Sequence, residues 1–445
     1  MKRPLPPGAT LGVLGGGQLG RMFVHAAQTL GFDTLVLDPD PQSPAGAAAH
    51  AQLCAPYDDA RALAEMAGRC DAVTTEFENV PAPSLASLAQ DIPVAPSAAA
   101  VAICQDRAAE KAHFGRAGVP CAPYAVIETT GQLADVADDL LPGILKTARL
   151  GYDGKGQVVV ADRAALAAAW ADLRQVPCVL EKRLPLAYEL SIIVARGADG
   201  QVVHLPVQQN LHRAGILALT TVPAPDVTQP QSDQAIARAT AIAESMDYVG
   251  VLCVEFFVLH DGSLVANEMA PRPHNSGHYS IDACDLSQFE LQVRTLARLP
   301  LVTPRQHSPC EMVNLLGDLW FATGHEREPD WAALLALPGM HLHLYGKTQA
   351  RPGRKMGHLT VTAATPALAR DRANAAAAVL GLQGFLWPSW AATTRRRCSS
   401  PRPNWPRAGW WRFPPRRSTA WAPAPTTTRP WRRSSRPRAG RPTIR

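Results

Sequence analysis

Short apolar segments alternate with helical stretches over residues 1–105. An apolar strand at 10–14 leads through a glycine-rich turn at 15–20 into a helix, and further apolar strands follow at 34–37 and 71–75. Apolar runs of this length between helices are typical of parallel strands that are buried on both faces. The pattern therefore predicts a doubly wound α/β domain.

From residue 106 onward the pattern mixes helices with strands suited to antiparallel pairing. This mixture indicates an α+β domain over residues 106–305 and a smaller third region over residues 306–385. The predicted helices are 106–117, 163–175, 232–247, 286–298 and 366–380. The predicted strands are 143–147, 156–160, 177–183, 189–196, 202–208, 250–259, 263–268, 310–316 and 341–345.

Charge is distributed unevenly along the chain. Of 44 basic residues, 15 are arginines in 386–445, where no lysine or acid occurs, so residues 1–385 carry 29 basic and 38 acidic side chains, a net charge of −9. Segment 386–445 also holds 11 of the 40 prolines and 7 of the 10 tryptophans, without the periodicity that a core requires. We interpret it as an out-of-frame translation of a GC-rich gene. The alternatives are a disordered extension and a segment that binds RNA or single-stranded nucleic acid.

The composition limits the class of protein. A chain of 445 residues, 47% apolar and 18% charged, is sufficient for two or three packed domains. It contains no run of eighteen apolar residues, and residues 1–7 lack the apolar core of a signal peptide, so we expect a cytoplasmic protein without a membrane partner. The nine cysteines form no C-x-x-C pair, which indicates neither a disulfide framework nor a zinc site.

Two glutamates flank a predicted hairpin. Glu255 and Glu268 lie on the strands either side of the turn residues 260–262, so antiparallel pairing places them opposite each other, with Cβ atoms about 5 Å apart. Two carboxylates at this distance repel, and a divalent cation such as Mg²⁺ resolves the conflict. The alternative is that each pairs with a cation on a solvated sheet face.

Three further segments carry candidate chemistry. Lys146 lies on an apolar strand, and the loop 151–157 has three glycines that let backbone amides approach a phosphate; a tight hairpin turn explains them equally well. Glu181 and Glu189 lie near strand ends, where solvated edge carboxylates would also be expected. The segment 267–278 is so rich in polar groups that a functional role is favoured over packing.

The glycine turn offers a competing function. Gly15, Gly17 and Gly20 match G-x-G-x-x-G, with Asp38 near the position of a ribose ligand in nicotinamide-binding oxidoreductases. This match stands alone, and it leaves the two-glutamate hairpin unexplained. A Walker motif is absent from the sequence, so any nucleotide site must be of another type.

Taken together, these segments resemble the ATP-grasp superfamily and, within it, the family of 5-(carboxyamino)imidazole ribonucleotide synthases. The resemblance covers roughly residues 10–380 and implies an N-terminal Rossmann-like (pre-ATP-grasp) domain, a central ATP-grasp domain and a small C-terminal domain. A ligase for another purine intermediate is the nearest alternative, and the 351–358 stretch argues against it. The motifs that carry the resemblance lie at 15–22, 75–80, 106–107, 151–157, 210–212, 267–278 and 351–358.

The resemblance also implies the site residues. The ATP contacts would be Arg107, Lys146, Gly151, Tyr152, Asp153, Gly154, Lys155, Gly156, Gln157, Glu181, Lys182, Arg183, Leu184, Glu189, His212, Asn267 and Glu268. The ribonucleotide contacts would be Glu76, Glu78, Tyr152, Lys155, Lys347 and Arg354. The metal ligands would be Glu255 and Glu268, and the groups taking part in the chemistry would be Lys146, Tyr152, Asp153, Arg272 and His274.

The implied reaction is the carboxylation of aminoimidazole ribonucleotide with bicarbonate and ATP, with Mg²⁺ or alternatively Mn²⁺ as the metal. Bicarbonate is a poor electrophile, so ATP would first convert it to carboxyphosphate, and Mg²⁺ and Lys146 would offset the charge of the transferring phosphoryl group. Tyr152, Asp153 and His274 all remain possible general bases. The resemblance further suggests a homodimer without a nucleic-acid partner.

Overall fold

The computed structural model describes residues 3–151, 156–322 and 324–382. The elements of its first region are β1 (Thr10–Leu14), α1 (Gln18–Thr29), β2 (Asp33–Leu37), β3 (Ala51–Leu53), α2 (Ala60–Arg69), β4 (Ala72–Thr75), α3 (Ala82–Leu88) and α4 (Ala98–Cys104). The strands form a parallel sheet of order β3-β2-β1-β4, which confirms the predicted α/β fold. Leu11 and Val13 of β1 pack toward α1, whereas Leu14 packs toward α2, so both faces of the sheet are buried.

The central region combines helices with antiparallel strands, as predicted. Its first elements are α5 (Arg107–Arg116), β5 (Tyr124–Ile127), α6 (Thr130–Ala134), β6 (Gly143–Thr147), β7 (Gln157–Val160), α7 (Arg163–Asp172) and β8 (Cys178–Lys182). Strands β5, β8, β6 and β7 form one sheet in that order. The remaining elements are β9 (Leu186–Arg196), β10 (Val202–His204), β11 (Gln208–Arg213), β12 (Ile216–Val222), α8 (Gln229–Ser245), β13 (Gly250–Leu259), β14 (Leu264–Ala270), α9 (Ser280–Ala283) and α10 (Gln288–Leu296).

The third region extends a sheet of the central region. Its elements are β15 (Cys310–Leu316), α11 (Trp331–Leu335), β16 (Met340–Leu344), β17 (Lys355–Thr362) and α12 (Pro366–Val379). Because β15 pairs with β12, the strand order continues as β14-β13-β9-β11-β12-β15-β17-β16, with β10 beside β9. The sequence boundary at 305 therefore falls between strands of a single sheet.

The differences from the predicted elements have local causes. Helix α8 begins at Gln229, before the predicted residue 232, because Thr228 and Gln231 form a capping box there. Strand β17 was missed because it buries two polar residues, His358 and Thr360, whereas strands are recognised in a sequence by apolar residues at their buried positions. Strands β3, β5 and β12 were also missed. The predicted single strand 202–208 is wrong, because β10 ends at His204 and β11 begins at Gln208.

None of the described helices combines the length and the apolar character needed to cross a bilayer. The segment 386–445, which we interpreted as an out-of-frame translation, lies outside the described residues.

Candidate active site

One cleft, with a volume of about 960 Å³, is lined by residues from all three regions. It lies against the glycine turn of the first region, strands β6, β13 and β14, and the segment between β16 and β17. Folding thus gathers predicted residues that are far apart in sequence. Those that line the cleft are Glu76, Glu78, Arg107, Lys146, Gly151, Gln157, Glu189, His212, Glu255, Asn267, Glu268, Arg272, His274, Lys347 and Arg354.

The two-glutamate hairpin is confirmed. Strands β13 and β14 pair antiparallel, with Glu255 opposite Glu268. The register shifts immediately beyond this pair, where Phe256 lies opposite Ala266 and Asn267 becomes an extra residue. A bulge of this kind redirects side chains beside a site. Asn267 and Glu268, although consecutive in a strand, accordingly both line the cleft.

The oxygen atoms of this hairpin suit a hard divalent cation. Burial raises the pKa of Glu255 to about 7; His212 opposes this rise and the Glu268 carboxylate adds to it. Glu255 Oε1 and Asn267 Oδ1 are both buried without a hydrogen-bond partner among the described residues. Carboxylate and amide oxygens are the ligands that Mg²⁺ prefers. The solvated-face alternative is wrong for Glu255, which is only 8% exposed.

Arg107 connects this hairpin to helix α5. It occupies the first turn of α5, behind the N-cap Asp106, and its Nη1 lies 3.2 Å from Glu268 Oε2. Its Nη2 donates to the carbonyl of Gly151 at 3.5 Å. The guanidinium therefore joins the acid pair to the start of the glycine loop.

Lys146 on β6 provides the second cation at this end of the cleft. Its ammonium lies 2.9 Å from Glu181 Oε2 on the neighbouring strand β8. The alternative of a solvated edge carboxylate is wrong for Glu181, whose side chain is only 4% exposed. The Glu181 carboxylate lies behind Lys146, and of the two only Lys146 lines the cleft.

The connection from β8 to β9 borders the same end. Of the described residues predicted to contact ATP, five do not line the cleft: Gly156, Glu181, Lys182, Arg183 and Leu184. Leu186 does, together with Ile144, Ala148 and Phe257, and these side chains give this end an apolar surface suited to a planar base.

His212 and Glu189 form an ion pair on the adjacent strands β11 and β9. His212 Nδ1 lies 2.7 Å from Glu189 Oε2. Burial lowers the pKa of His212, but the hydrogen bond to Glu189 and the nearby Glu255 and Glu268 carboxylates outweigh it and raise this pKa to about 9. His212 is therefore a cation at neutral pH.

At the opposite end, Glu76 fills the glycine turn. The backbone amides of Gly17 and Gly20, at the start of α1, donate to its two carboxylate oxygens at 2.6 and 2.7 Å. A Cβ atom on Gly17 would lie 2.3 Å from Glu76 Oε1, so glycine is required there for the carboxylate to approach. The amides that hold a phosphate in dinucleotide-binding proteins are used here by the protein's own acid.

Asp38 is likewise engaged within the first region. It accepts a hydrogen bond from the Gly16 amide at 2.6 Å and another from the Tyr57 hydroxyl at 2.6 Å, and it is 8% exposed. A dinucleotide would have to displace both acids. The nicotinamide-enzyme alternative therefore has no geometric support.

Arg272 and His274 lie between the two ends. Arg272 Nε pairs with Glu78 at 2.5 Å, and His274 Nε2 lies 3.5 Å from Glu255 Oε1. Burial, together with Arg272 and other nearby positive charges, holds the pKa of His274 well below its usual range. The amide of Ser276 donates to His274 Nδ1 at 3.3 Å, so Nδ1 acts as an acceptor.

Four cations line the far end of the cleft: Lys347, Arg351, Arg354 and Lys355. Lys347 Nζ donates to the Lys355 carbonyl at 2.7 Å, and Arg354 Nη1 donates to the Gln349 carbonyl at 2.8 Å. Lys355 also lines the cleft, and its charge acts on Glu78. Sequence reasoning missed Lys355, although it lies within the basic stretch 351–358 that supported the resemblance.

A stacked network supports this cationic segment. The Tyr345 ring lies 5.6 Å from Lys347 Nζ, and its hydroxyl is 3.0 Å from His358 Nδ1. His358 stacks on His343, with centroids 4.5 Å apart and an interplanar angle of 10°, and His343 bonds Asp282 at 2.9 Å. Parallel rings do not aim their lone pairs at one ion, so this network serves as support and not as a metal site.

Four predicted residues, Tyr152, Asp153, Gly154 and Lys155, lie outside the described residues. Their roles in binding or in proton transfer stay predictions. The segment that contains them joins β6 to β7, with Lys146 opposite Gln157.

Comparison with known proteins identifies the class. Residues 8–105 match the ribonucleotide synthetase preATP-grasp domain, residues 112–289 the ATP-grasp domain, and residues 310–372 the phosphoribosylaminoimidazole carboxylase C-terminal domain. Together with the cleft, these matches define an ATP-grasp ligase.

Relatives narrow the class to one family. An N5-carboxyaminoimidazole ribonucleotide synthase from Brucella melitensis is 44% identical over 362 residues, 81% of this chain and 98% of the relative. A Staphylococcus aureus N5-carboxyaminoimidazole synthetase complexed with ADP has a TM-score of 0.77 and 35% identity, covering 84% of this chain and 98% of that one. An Aspergillus clavatus synthase in complex with ADP and 5-aminoimidazole ribonucleotide has a TM-score of 0.77 and 32% identity, covering 84% and 99%. The chain belongs to the N5-carboxyaminoimidazole ribonucleotide synthase family.

Proposed function

We propose that this ligase carboxylates 5-aminoimidazole ribonucleotide with bicarbonate, at the expense of ATP and with Mg²⁺ bound. The observation that carries the proposal is the arrangement of one cleft. Acidic and amide oxygens suited to Mg²⁺ lie beside Lys146 at one end, and four cations suited to a phosphate monoester lie at the other. Two anionic substrates can therefore meet between these ends.

The nucleotide end would hold ATP. Lys146 and Arg107 would contact the phosphates, while the apolar surface around Leu186 would receive the adenine. The S. aureus and A. clavatus relatives, solved with ADP, support this assignment. The charged His212 would add to the attraction for a polyanion, since it lines the same end of the cleft.

Glu255, Glu268 and Asn267 would hold the metal, and Mn²⁺ is the alternative ion. A divalent cation bound there supplies positive charge against the phosphates of ATP. Because Glu268 is also paired with Arg107, the side chain that binds metal would be fixed by a cation already in the site. Both features would supply positive charge for phosphoryl transfer.

The other end would hold the ribonucleotide. Its phosphate is dianionic near neutral pH, and the planar fork of Arg354 with the ammonium of Lys347 is a suitable partner. Lys355 joins them on the geometry, and Glu76 and Glu78 line the neighbouring wall. The A. clavatus relative, solved with 5-aminoimidazole ribonucleotide, supports this substrate class.

Bicarbonate would react between the two ends. ATP would phosphorylate it to carboxyphosphate, and the exocyclic amine of the ribonucleotide would attack its carbon or that of carbon dioxide released from it. Arg272 lies there as a half-buried cation suited to a carboxylate. His274, which lies 3.5 Å from Glu255, would help to position that acid, and Tyr152, Asp153 and His274 remain candidates for accepting the amine proton.

A phosphate-release assay tests the proposal. We expect release to require ATP, Mg²⁺, bicarbonate and aminoimidazole ribonucleotide together, and a carboxylated ribonucleotide to form in the same amount. Glu128→Gln, an exposed change outside the cleft, is the matched control. Phosphate release at the same rate with and without the ribonucleotide would contradict the proposed reaction.

We also propose a homodimer acting in the cytoplasm, as the family resemblance suggests. Sedimentation equilibrium of the purified protein measures this directly. A single species of monomer mass at micromolar concentration would contradict the dimer.

A further inference from the structure

Behind Lys146, three charged side chains lie in a buried row. Glu181 stands in the middle, with Lys146 Nζ 2.9 Å from one carboxylate oxygen and Lys111 Nζ 3.1 Å from the other. The side chains of Lys111, Glu181 and Lys146 are 1%, 4% and 9% exposed. A lysine buried to this degree is rare unless it is paired, so Lys111 depends on Glu181.

The row is built from three elements. Lys111 lies one helical turn after Arg107 on α5, and Lys146 and Glu181 lie on the paired strands β6 and β8. Glu181 is directly opposite Ile144, two residues before Lys146, so the acid and the lysine are diagonal neighbours on one face of the sheet. Only Lys146 of the three reaches the cleft.

The charge of the row decides what Lys146 can do. Burial would raise the pKa of Glu181, but the two ammonium groups outweigh this effect and lower it, so the acid is ionised. With Lys111 present, the row has a net charge of +1. Without Lys111, Glu181 would neutralise Lys146, and the row would have no net charge to offer an anion.

We propose that Lys111 is a positioning residue for ATP binding: it occupies one oxygen of Glu181, so that Glu181 orients Lys146 without cancelling its charge. This inference rests on the proposed role of Lys146 in binding the ATP phosphates. Lys111 acts through Glu181 and touches no substrate.

Isothermal titration with ATP and Mg²⁺, together with steady-state kinetics, tests this. Lys111→Met should weaken ATP binding by about tenfold to a hundredfold, the scale expected for one unit charge a few ångströms away in a partly shielded site. The KM for the ribonucleotide should stay within about twofold, because that end of the cleft lies elsewhere. The double variant Lys111→Met/Glu181→Gln restores a net charge of +1 and should recover most of the ATP affinity.

Charge rescue separates positioning from packing. If Lys111 only filled space, the double variant would bind ATP no better than Lys111→Met, and the proposal would be overturned. Equal loss of affinity for both substrates would overturn it as well. If Lys111→Met does not accumulate as folded protein, then Lys111→Arg and the double variant carry the test. Both keep the charge of +1, both should bind ATP within about fivefold of wild type, and a larger loss in both would refute the inference.

A separate variant tests whether Lys146 binds the ATP phosphates. Lys146→Met should abolish measurable ATP binding if Lys146 contacts the phosphates. Normal ATP affinity in Lys146→Met would contradict the proposed nucleotide site itself. Loss of affinity in Lys146→Met combined with normal affinity in Lys111→Met would overturn only the role of Lys111.

Discussion

Glu311 on β15 is a buried carboxylate outside the cleft, and replacing it by glutamine should stabilise the protein at alkaline pH. Its side chain is 1% exposed; it accepts a hydrogen bond from the Thr221 hydroxyl at 2.6 Å and lies 3.6 Å from Arg370 Nε. Glutamine can keep this arrangement, because its amide can donate to the Thr221 oxygen while its carbonyl oxygen faces Arg370.

The magnitude follows from proton linkage. Burial raises the pKa of Glu311 to about 7 from its ordinary value of 4.5, although Thr221 and Arg370 oppose the rise. Between these two values the folded protein binds more protons than the unfolded chain, so stability falls as pH rises through this window. A shift of this size corresponds to about 3 kcal/mol at pH 8 and to almost nothing at pH 4.5.

Thermal melts followed by circular dichroism at pH 5, 6.5 and 8 measure the effect. Glu311→Gln lacks the titration, so its advantage in Tm over wild type should grow with pH, to on the order of several degrees at pH 8. Glu128→Gln, at an exposed glutamate, is the matched control and should show a pH-independent difference. A Glu311→Gln variant that melts below wild type at every pH would refute the reasoning, because it would mean that the pair with Arg370 outweighs burial.

Four further variants test the site and the chain end. Glu255→Gln and Glu268→Gln should each abolish ATP turnover while Tm stays unchanged or rises, since each relieves repulsion between paired acids; near-normal turnover at limiting Mg²⁺ contradicts the metal site. Arg354→Ala should raise the KM for the ribonucleotide at least tenfold and leave that for ATP within about twofold, and equal changes in both would exclude a phosphate contact. A chain that ends at Leu382 should keep full activity, because the regions matched by family models end at residue 372; activity lost on truncation contradicts our interpretation of 386–445.

Local sequence patterns were sufficient to predict residue pairs within a single hairpin. The turn between β13 and β14 was sufficient to place Glu255 opposite Glu268, because a hairpin register is set by its turn. The bulge at Asn267 could not be predicted, since it depends on how β14 meets the cleft. The burial of Glu181 could not be predicted either, because its partner Lys111 lies 70 positions earlier in the chain.

The glycine turn shows why a motif can mislead. Its spacing correctly predicted a strand, a turn and the start of α1, which are properties of the local backbone. Its occupant, Glu76, comes from the end of a different strand, β4, and nothing in the spacing of the glycines reveals it. The cations Lys347, Arg351, Arg354 and Lys355 reach the cleft only through strand pairing across regions, and here the resemblance identified two of the four as site residues.

The joining of β12 to β15 has a consequence for any attempt to divide the protein. Four residue pairs connect these strands, from Leu219 with Val313 to Val222 with Cys310. A fragment that stops at residue 305 would expose the whole edge of β12, with its unpaired amides and carbonyls, as a template for other chains. Such fragments should aggregate, so the third region acts as an edge cover for its neighbour, and insertions or fusions are better tolerated outside this seam than within it.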